Sequence, residues 1–163
     1  SIRRRQRQMC IRDSLCPLPI NWRIEMAFAV NENIHEYVPE VFDQGVDDWS
    51  PDLAKAETDV VNQIRMTWWN RYEDPSKFDK TKLTESQWTK ATVYKALYTY
   101  ILPKLSTFRP EGDPFYNQLE FYKERFAEEF AVQFGIGVDY DHNNDGSVSS
   151  DEVERLTMDR LYR

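Results

Sequence analysis

Three stretches of the chain place apolar side chains every three or four residues, and this spacing constrains the fold more than any other feature. The first covers residues 50–72, with Leu53, Ala56, Val60, Ile64, Trp68 and Tyr72 on one face. The second covers residues 84–102, with Trp88, Ala91, Tyr98 and Leu102. The third covers residues 114–134, with Phe115, Leu119, Tyr122, Phe126 and Phe130. Because a helix must bury its apolar face against another element, the pattern predicts an all-α fold, a small bundle of three long helices.

Each predicted helix has a start signal in the sequence. Ser50-Pro51 and Asp113-Pro114 combine a capping residue with a proline at the first helical position. Thr84 and Gln87 have the spacing of a capping box. Trp68-Trp69, near the end of the first helix, allows two interpretations: one tryptophan in the core with the other at its edge, or an aromatic contact for a neighbouring subunit.

The segment Asp141–Glu152 has the residue spacing of an EF-hand calcium loop. Oxygen-bearing side chains occupy loop positions 1, 3, 5, 9 and 12, namely Asp141, Asn143, Asp145, Ser149 and Glu152. Ser147 at position 7 offers its backbone carbonyl, and Gly146 at position 6 permits the positive φ of the sharp turn. Calcium is a hard cation that binds about 6–8 oxygens. We therefore predict a structural Ca²⁺ at these oxygens; the alternative is a solvated acidic turn.

The sequence before the loop differs from that of a calcium sensor. The two glycines of Gly135–Gly137 end a helix rather than continue it into the loop, and the chain has one such loop rather than a pair. We therefore expect a calcium clip that fixes the C-terminal segment, followed by a last helix over residues 150–161. The final residues depart from the acidic character of the body and are either a frayed terminus or a partner-binding tail; they are Arg160, Leu161, Tyr162 and Arg163.

Charge and composition divide the chain into a leader (residues 1–25), a helical bundle (26–135) and a calcium-loop and docking segment (136–163). Residues 1–14 resemble a translated sequencing-adapter read-through, so we expect a non-native or disordered leader and a natural start at Met26. A nucleic-acid-binding arm is the alternative for its arginines. The leader holds six of the 21 basic residues but two of the 28 acidic ones. The rest of the chain is therefore acidic and is not expected to bind nucleic acid.

The sequence contains no recognisable catalytic set. It has two histidines, His35 and His142, and it lacks a phosphate-binding glycine loop, a nucleophile elbow and a cysteine-based metal site. Its many carboxylates fall on the predicted helix surfaces, where charged side chains usually face solvent. No apolar run approaches the length of a transmembrane helix. We expect that the protein is not an enzyme and does not bind a membrane.

Four segments together carry a resemblance to a known family. They are residues 52–69, 91–102, 121–130 and 138–152, and they include the sequences FYKERFAEEF and VDYDHNNDG. In this order they resemble the head–tail adaptor (connector) proteins of tailed bacteriophages, in which a helical bundle assembles as a ring beneath the portal.

The resemblance implies a virion structural protein that is made in the host bacterial cytoplasm and located at the head–tail junction. It implies a ring of twelve subunits that binds the portal protein and further neck or tail proteins. DNA would pass through the ring without sequence-specific binding. The terminal residues Arg160–Arg163 would insert against the portal. The calcium loop is a departure from the simplest members of the family.

Two alternatives remain open at this point. A bacterial EF-hand-like calcium-binding module is supported by Asp141–Glu152 alone. A tail-completion protein of the phage neck would share the helical character and differ in its partner and ring size.

Overall fold

The computed structural model describes residues 27–69, 75–107 and 112–154, and these residues are mostly helical. The helices are α1 (Asn31–Tyr37), α2 (Ser50–Thr67), α3 (Glu85–Ala96), α4 (Leu102–Leu105) and α5 (Pro114–Ile136). Two short antiparallel strands follow, β1 (Val138–Asp139) and β2 (Val153–Glu154). The predicted all-α class is thus confirmed. The predicted leader lies outside the described residues. None of the described helices is both long and apolar enough to span a membrane.

Helix α3 lies between α2 and α5 and packs against both of them. The four consecutive residues from Ala91 to Tyr94 are all buried, and together they cover more than a full helical turn. A helical turn that is buried on all sides must be covered by more than one neighbouring element. Because α2 and α5 make few contacts with each other, the three long helices form a layered arrangement with α3 at its centre.

Aromatic side chains fill the interface between α3 and α5. Trp88 is fully buried, and its ring centroid lies 5.6 Å from that of Phe130 and 5.5 Å from that of Phe134. Phe130 and Phe134 contact each other edge to face at 4.7 Å. The buried residues of α5 are Tyr122, Phe126, Phe130 and Phe134. The spacing predicted the first three of them, while the predicted Phe115 and Leu119 are only partly buried against the core. Aromatic pairs of this kind contribute about 0.5–1.5 kcal/mol each beyond the burial of their area.

Ser50, the predicted cap of α2, is the first residue of the helix, and Trp49 before it makes no side-chain capping hydrogen bond. The carboxylate of Asp48 accepts hydrogen bonds from the Ser50 N–H (2.9 Å) and from the Asn31 side-chain amide (2.9 Å). Hydrogen bonds from Ser50 and Asn31 lower the pKa of Asp48 to about 2. Asn31 also accepts the Trp49 N–H at 3.0 Å, so one amide joins the starts of α1 and α2.

The helical segment that begins with α3 continues past Leu102, where the predicted second helix ends. A wide π-type turn, Leu97–Ile101, connects α3 to α4, and α4 contains Pro103. Proline has no N–H to donate, and its ring crowds the carbonyl four residues earlier, that of Thr99. A widened turn at this position accommodates the ring, and the helical path extends to Leu105.

The predicted last helix does not begin at Ser150. Residues 150–152 form a turn, and Val153 then pairs with Asp139 in the β1–β2 ladder. Val153 and Glu154 pair with β1 instead of making helical hydrogen bonds, so the prediction of a helix was wrong for residues 150–154. Residues 155–163 lie outside the described residues. At the other end of the loop, α5 continues to Ile136 and ends at Gly137, whose φ is 122°.

Asp113 caps α5 as predicted and also holds the preceding segment. One carboxylate oxygen accepts the N–H groups of Phe115 (3.0 Å) and Tyr116 (3.2 Å). The other accepts the Ser106 hydroxyl (2.9 Å) and both the N–H (2.6 Å) and hydroxyl (3.0 Å) of Thr107. Desolvation would raise the pKa of Asp113, but these hydrogen bonds outweigh it and lower the pKa to about 2. The ionised carboxylate therefore stabilises the junction between α4 and α5.

We expect Asp113→Asn to lower the melting temperature at neutral pH by several degrees, because the amide nitrogen cannot accept the bonds from Ser106 and Thr107. The folded pKa of Asp113, about 2, lies below its ordinary value of 3.8. The carboxylate therefore contributes stability above that ordinary value and loses it as the pH falls toward the folded pKa. The difference in melting temperature between the variant and the wild type should therefore narrow as the pH falls from 3.8 toward about 2. Thermal melts followed by circular dichroism at several pH values measure this difference. The exposed Asp43→Asn is the matched control, and an equal loss of stability in it would contradict the assignment.

Candidate calcium-binding loop

The segment Asp141–Glu152 is closed at its base by the β1–β2 ladder. Val138 is opposite Glu154, and Asp139 is opposite Val153. The chain therefore enters the loop from a strand, whereas an EF-hand enters its loop from a helix. The turn at Gly137 separates α5 from this strand.

A second extended contact fixes the entry to the loop. Leu83 forms an antiparallel bridge with Tyr140. The N–H of Asp141 donates to the Lys82 carbonyl (2.9 Å), and the N–H of Thr84 donates to the Asp139 carbonyl (3.3 Å). The Lys82 ammonium also donates to the backbone carbonyl of His142 at 3.3 Å. The first loop residues are thus attached to the segment that precedes α3.

Gln87 links α3 directly to the loop base. Its amide nitrogen donates to the Gly137 carbonyl (2.6 Å), and its amide oxygen accepts the Asp139 N–H (3.1 Å). The sequence predicted that Gln87 would form a capping box with Thr84, but no side-chain cap is formed at Thr84. The Gln87 side chain lies in the first turn of α3, where a capping box requires it, but its amide bonds to Gly137 and Asp139 instead.

Aromatic side chains pack against the first residues of the loop. Tyr140 is buried, with its ring 5.4 Å from Trp68 and 5.1 Å from Trp69, and its hydroxyl accepts the Asp79 N–H at 3.1 Å. His142 packs edge to face on Tyr140 at 4.8 Å. Both tryptophans are buried within the described structure. The core-and-edge interpretation expected only one tryptophan in the core, whereas both lie there and pack against the start of the loop.

Asp141 organises the first half of the loop. One carboxylate oxygen accepts the N–H groups of Asn144 (2.5 Å) and Asp145 (3.2 Å), and the other accepts the Gly146 N–H (2.9 Å). Asn144 and Gly146 adopt positive φ values of 61° and 88°. Glycine tolerates this conformation without steric cost, as predicted for loop position 6. The chain thereby folds tightly around the Asp141 carboxylate.

The other acidic side chains hold the second half of the loop. Asp145 accepts the N–H (2.9 Å) and hydroxyl (2.8 Å) of Ser147, and these bonds lower its pKa. Glu152 is buried and accepts the N–H groups of Ser149 (3.0 Å) and Asn143 (3.1 Å), which lower its pKa. The Ser149 hydroxyl also donates to Glu152 at 3.0 Å. Glu152 therefore joins the end of the loop to its beginning.

The structure brings the predicted oxygens into one loop, but the acidic groups alone do not form a metal cluster. Within residues 27–69, 75–107 and 112–154, no three His, Cys, Asp or Glu side chains come together closely enough to hold a metal ion. The side chains of Asn143 and Ser149 and the carbonyl of Ser147 would have to supply further oxygens. An ionised carboxylate has about four lone-pair sites, so accepting N–H groups leaves capacity for a cation. The donor set, all oxygen, fits calcium.

An open cleft of about 750 Å³ lies between the loop and residues 81–86. Its walls include the acidic residues Glu85, Asp139, Asp141 and Asp145. Solvent and small cations therefore reach the Asp141 side of the loop. The predicted partner-binding residues Arg160–Arg163 lie outside the described residues.

We expect Gln87→Leu to loosen the loop base while leaving the helical core folded. Each lost hydrogen bond contributes about 0.5–1.5 kcal/mol, so amides near Gly137–Asp141 should exchange with deuterium about tenfold faster or more. Hydrogen exchange with mass spectrometry measures this change peptide by peptide. Gln133→Leu is the matched control because Gln133 bonds to Glu129 on its own helix at 2.8 Å. Unchanged exchange at the loop base in Gln87→Leu would show that Gln87 does not hold it.

Compared with known proteins, the chain matches no family model, no curated protein and no solved structure.

Proposed function

We propose that the protein is a head–tail adaptor of a tailed bacteriophage, a virion structural protein that forms a ring on the portal and extends the DNA channel toward the tail. The proposal rests on the resemblance carried by four segments, which all lie in the helical core and the candidate loop. Residues 52–69 form most of α2, residues 91–102 the second half of α3 and the turn after it, and residues 121–130 the middle of α5. Residues 138–152 form β1 and the candidate loop. The remaining partners would be neck or tail proteins.

The observation that carries the proposal is the layered order of α2, α3 and α5. A closed ring requires two different lateral surfaces on each subunit, one for each neighbour. With α3 in the middle, α2 and α5 each keep an outward face. Both faces carry exposed apolar side chains: Met66 on α2 is 74% exposed, and Ile136 on α5 is 54% exposed. The subunit thus has two separate flanks that a ring could join.

The charge distribution is consistent with a channel through which DNA passes. Affinity for phosphates requires clustered Lys and Arg, whereas the sequence outside the leader is dominated by acidic residues. Several of its lysines are already paired with carboxylates, among them Lys104 with Asp52 (2.5 Å) and Lys90 with Glu129 (2.9 Å). Such a surface repels the DNA backbone rather than retaining it.

We expect the full-length protein, mixed with the portal protein encoded in the same phage genome, to form a ring on the portal that is visible by negative-stain electron microscopy. A chain that ends at Glu154 tests whether the terminal residues, including Arg160–Arg163, dock on the portal. This truncation retains Val138 and Tyr140, which are both part of the core, so the fold should persist in circular dichroism. A full-length protein that ignores the portal would contradict the adaptor proposal. Unchanged binding by the truncated chain would contradict only the role of its tail.

The loop geometry favours a second candidate function, calcium binding at Asp141–Glu152. The loop is preformed around Asp141 and closed by Glu152, and the side chains at its ligand positions and the Ser147 carbonyl offer oxygen donors. An ion at this site would fix the position of β2 and of the chain that follows it. Calcium would then have a structural role, and this role is compatible with the adaptor function. In a bacterial EF-hand-like module, by contrast, calcium binding would be the function itself.

We expect millimolar calcium to raise the melting temperature, because a ligand that binds only the folded state stabilises it by about 2.7 kcal/mol at 100 times its Kd. Magnesium should have a smaller effect, since it requires a tighter octahedral shell. Glu152→Gln, which removes the charge that closes the loop, should abolish the calcium-dependent shift. The exposed Asp151→Asn is the matched control, because position 11 of the loop supplies no ligand. An equal calcium response in Glu152→Gln and wild type would contradict the site.

A further inference from the structure

Helix α5 has a second, exposed surface on a different side from its buried aromatic face. Phe121, Arg125, Glu128 and Val132 follow one another at alternating spacings of four and three residues, and we call these four residues the outer stripe. Phe121 is 48% and Val132 is 53% exposed. Large apolar side chains that share one exposed helix face indicate an interaction surface more strongly than isolated ones do.

The two charged residues in the middle of the outer stripe contact each other within the monomer. The Arg125 guanidinium donates to the Glu128 carboxylate at 2.9 Å, and its central carbon lies 5.1 Å from the centroid of the Phe121 ring. A groove of about 540 Å³ runs beside the stripe, with Tyr37, Lys90 and Tyr94 among the residues on its walls. The stripe therefore presents a positive and a negative group between two apolar ends.

We propose that the outer stripe pairs with the outer stripe of a second copy of this chain, with the two α5 helices antiparallel. In the register that places Phe121 opposite Val132 of the second copy, Arg125 falls opposite Glu128 of the second copy. The two-fold axis repeats both contacts, giving two apolar pairs around two ion pairs. The four-and-three spacing is that of an antiparallel helix seam, in which such positions face each other in layers.

The order of the charges selects both the partner and the orientation. A parallel pair in register would place Arg125 against Arg125 and Glu128 against Glu128, which is repulsive. The antiparallel pair reverses the order, so each charge meets its opposite. Polar residues within a helix seam commonly fix orientation and register in this way, at some cost in stability. Self-complementarity of this kind favours a second copy over an unrelated partner.

The dimer does not depend on the adaptor proposal, and it differs from a ring in its symmetry. An isologous contact uses the same surface on both copies and closes at two, whereas a ring joins two different surfaces. If the protein forms both the dimer and the ring, the outer stripe binds a second α5 in the free protein. It then becomes available to a neighbouring subunit of the ring only after the dimer dissociates.

Charge reversal tests the proposal on the full-length protein, with the mass measured by sedimentation velocity over a range of concentrations. Arg125→Glu and Glu128→Arg each replace two attractive contacts by two repulsive ones, and each should weaken dimerisation by about tenfold or more. The double variant R125E/E128R restores opposite charges across the axis and should recover the dimer. Val132→Asp should also weaken it, whereas Val30→Asp, which changes an exposed apolar residue just before α1, should not.

Recovery of the dimer in the double variant, with the helical circular dichroism unchanged in all variants, would support the α5 pair. Three results would overturn it: a wild-type protein that is monomeric at all concentrations, single variants that dimerise like wild type, or a free protein that forms a larger ring. The last result would nevertheless favour the adaptor proposal, so the two proposals can fail separately.

Discussion

The burial of α3 is the constraint on which the rest of the described structure depends. Trp88 and the run from Ala91 to Tyr94 are buried, so this part of the helix must be covered by neighbouring helices rather than by water. Each large side chain that is fully buried contributes about 1.5–3 kcal/mol, and α3 gains this contribution only while α2 and α5 cover it together. The same requirement places α2 and α5 on separate sides of α3 and leaves each of them with an outward face.

The candidate loop is built onto this core. Gln87 extends from the first turn of α3 to Gly137 and Asp139, while Tyr140 packs on the tryptophans at the end of α2. Inside the loop, the carboxylates of Asp141 and Glu152 satisfy backbone N–H groups that would otherwise have no partner in an irregular segment. The residues that would bind a cation therefore also shape the loop, so ion binding and local folding are expected to be coupled.

The sequence predicted the three long helices because their stability depends on a periodic apolar face, which is a local pattern. The cap at Asp113 and the positive φ at Gly146 were also predictable, since each depends on the chemistry of one residue and its neighbours. The roles of Gln87 and Tyr140 were not predictable, because they depend on contacts between segments that are 50 and 61 residues apart. The assignment of a helix at Ser150 failed for the same reason: β1, not local propensity, determines the conformation of Val153.

The two faces of α5 connect the core, the loop and the outer stripe. Its inward aromatic face packs on α3, and its C-terminal end is held at Gly137 by Gln87, so this helix of 23 residues, about 35 Å long, is fixed along its length and at one end. A surface on a rigid helix loses little conformational entropy when it binds. On this surface the Arg125 and Glu128 side chains already contact each other in the monomer. The packing that buries α3 thus also prepares the outer stripe for association.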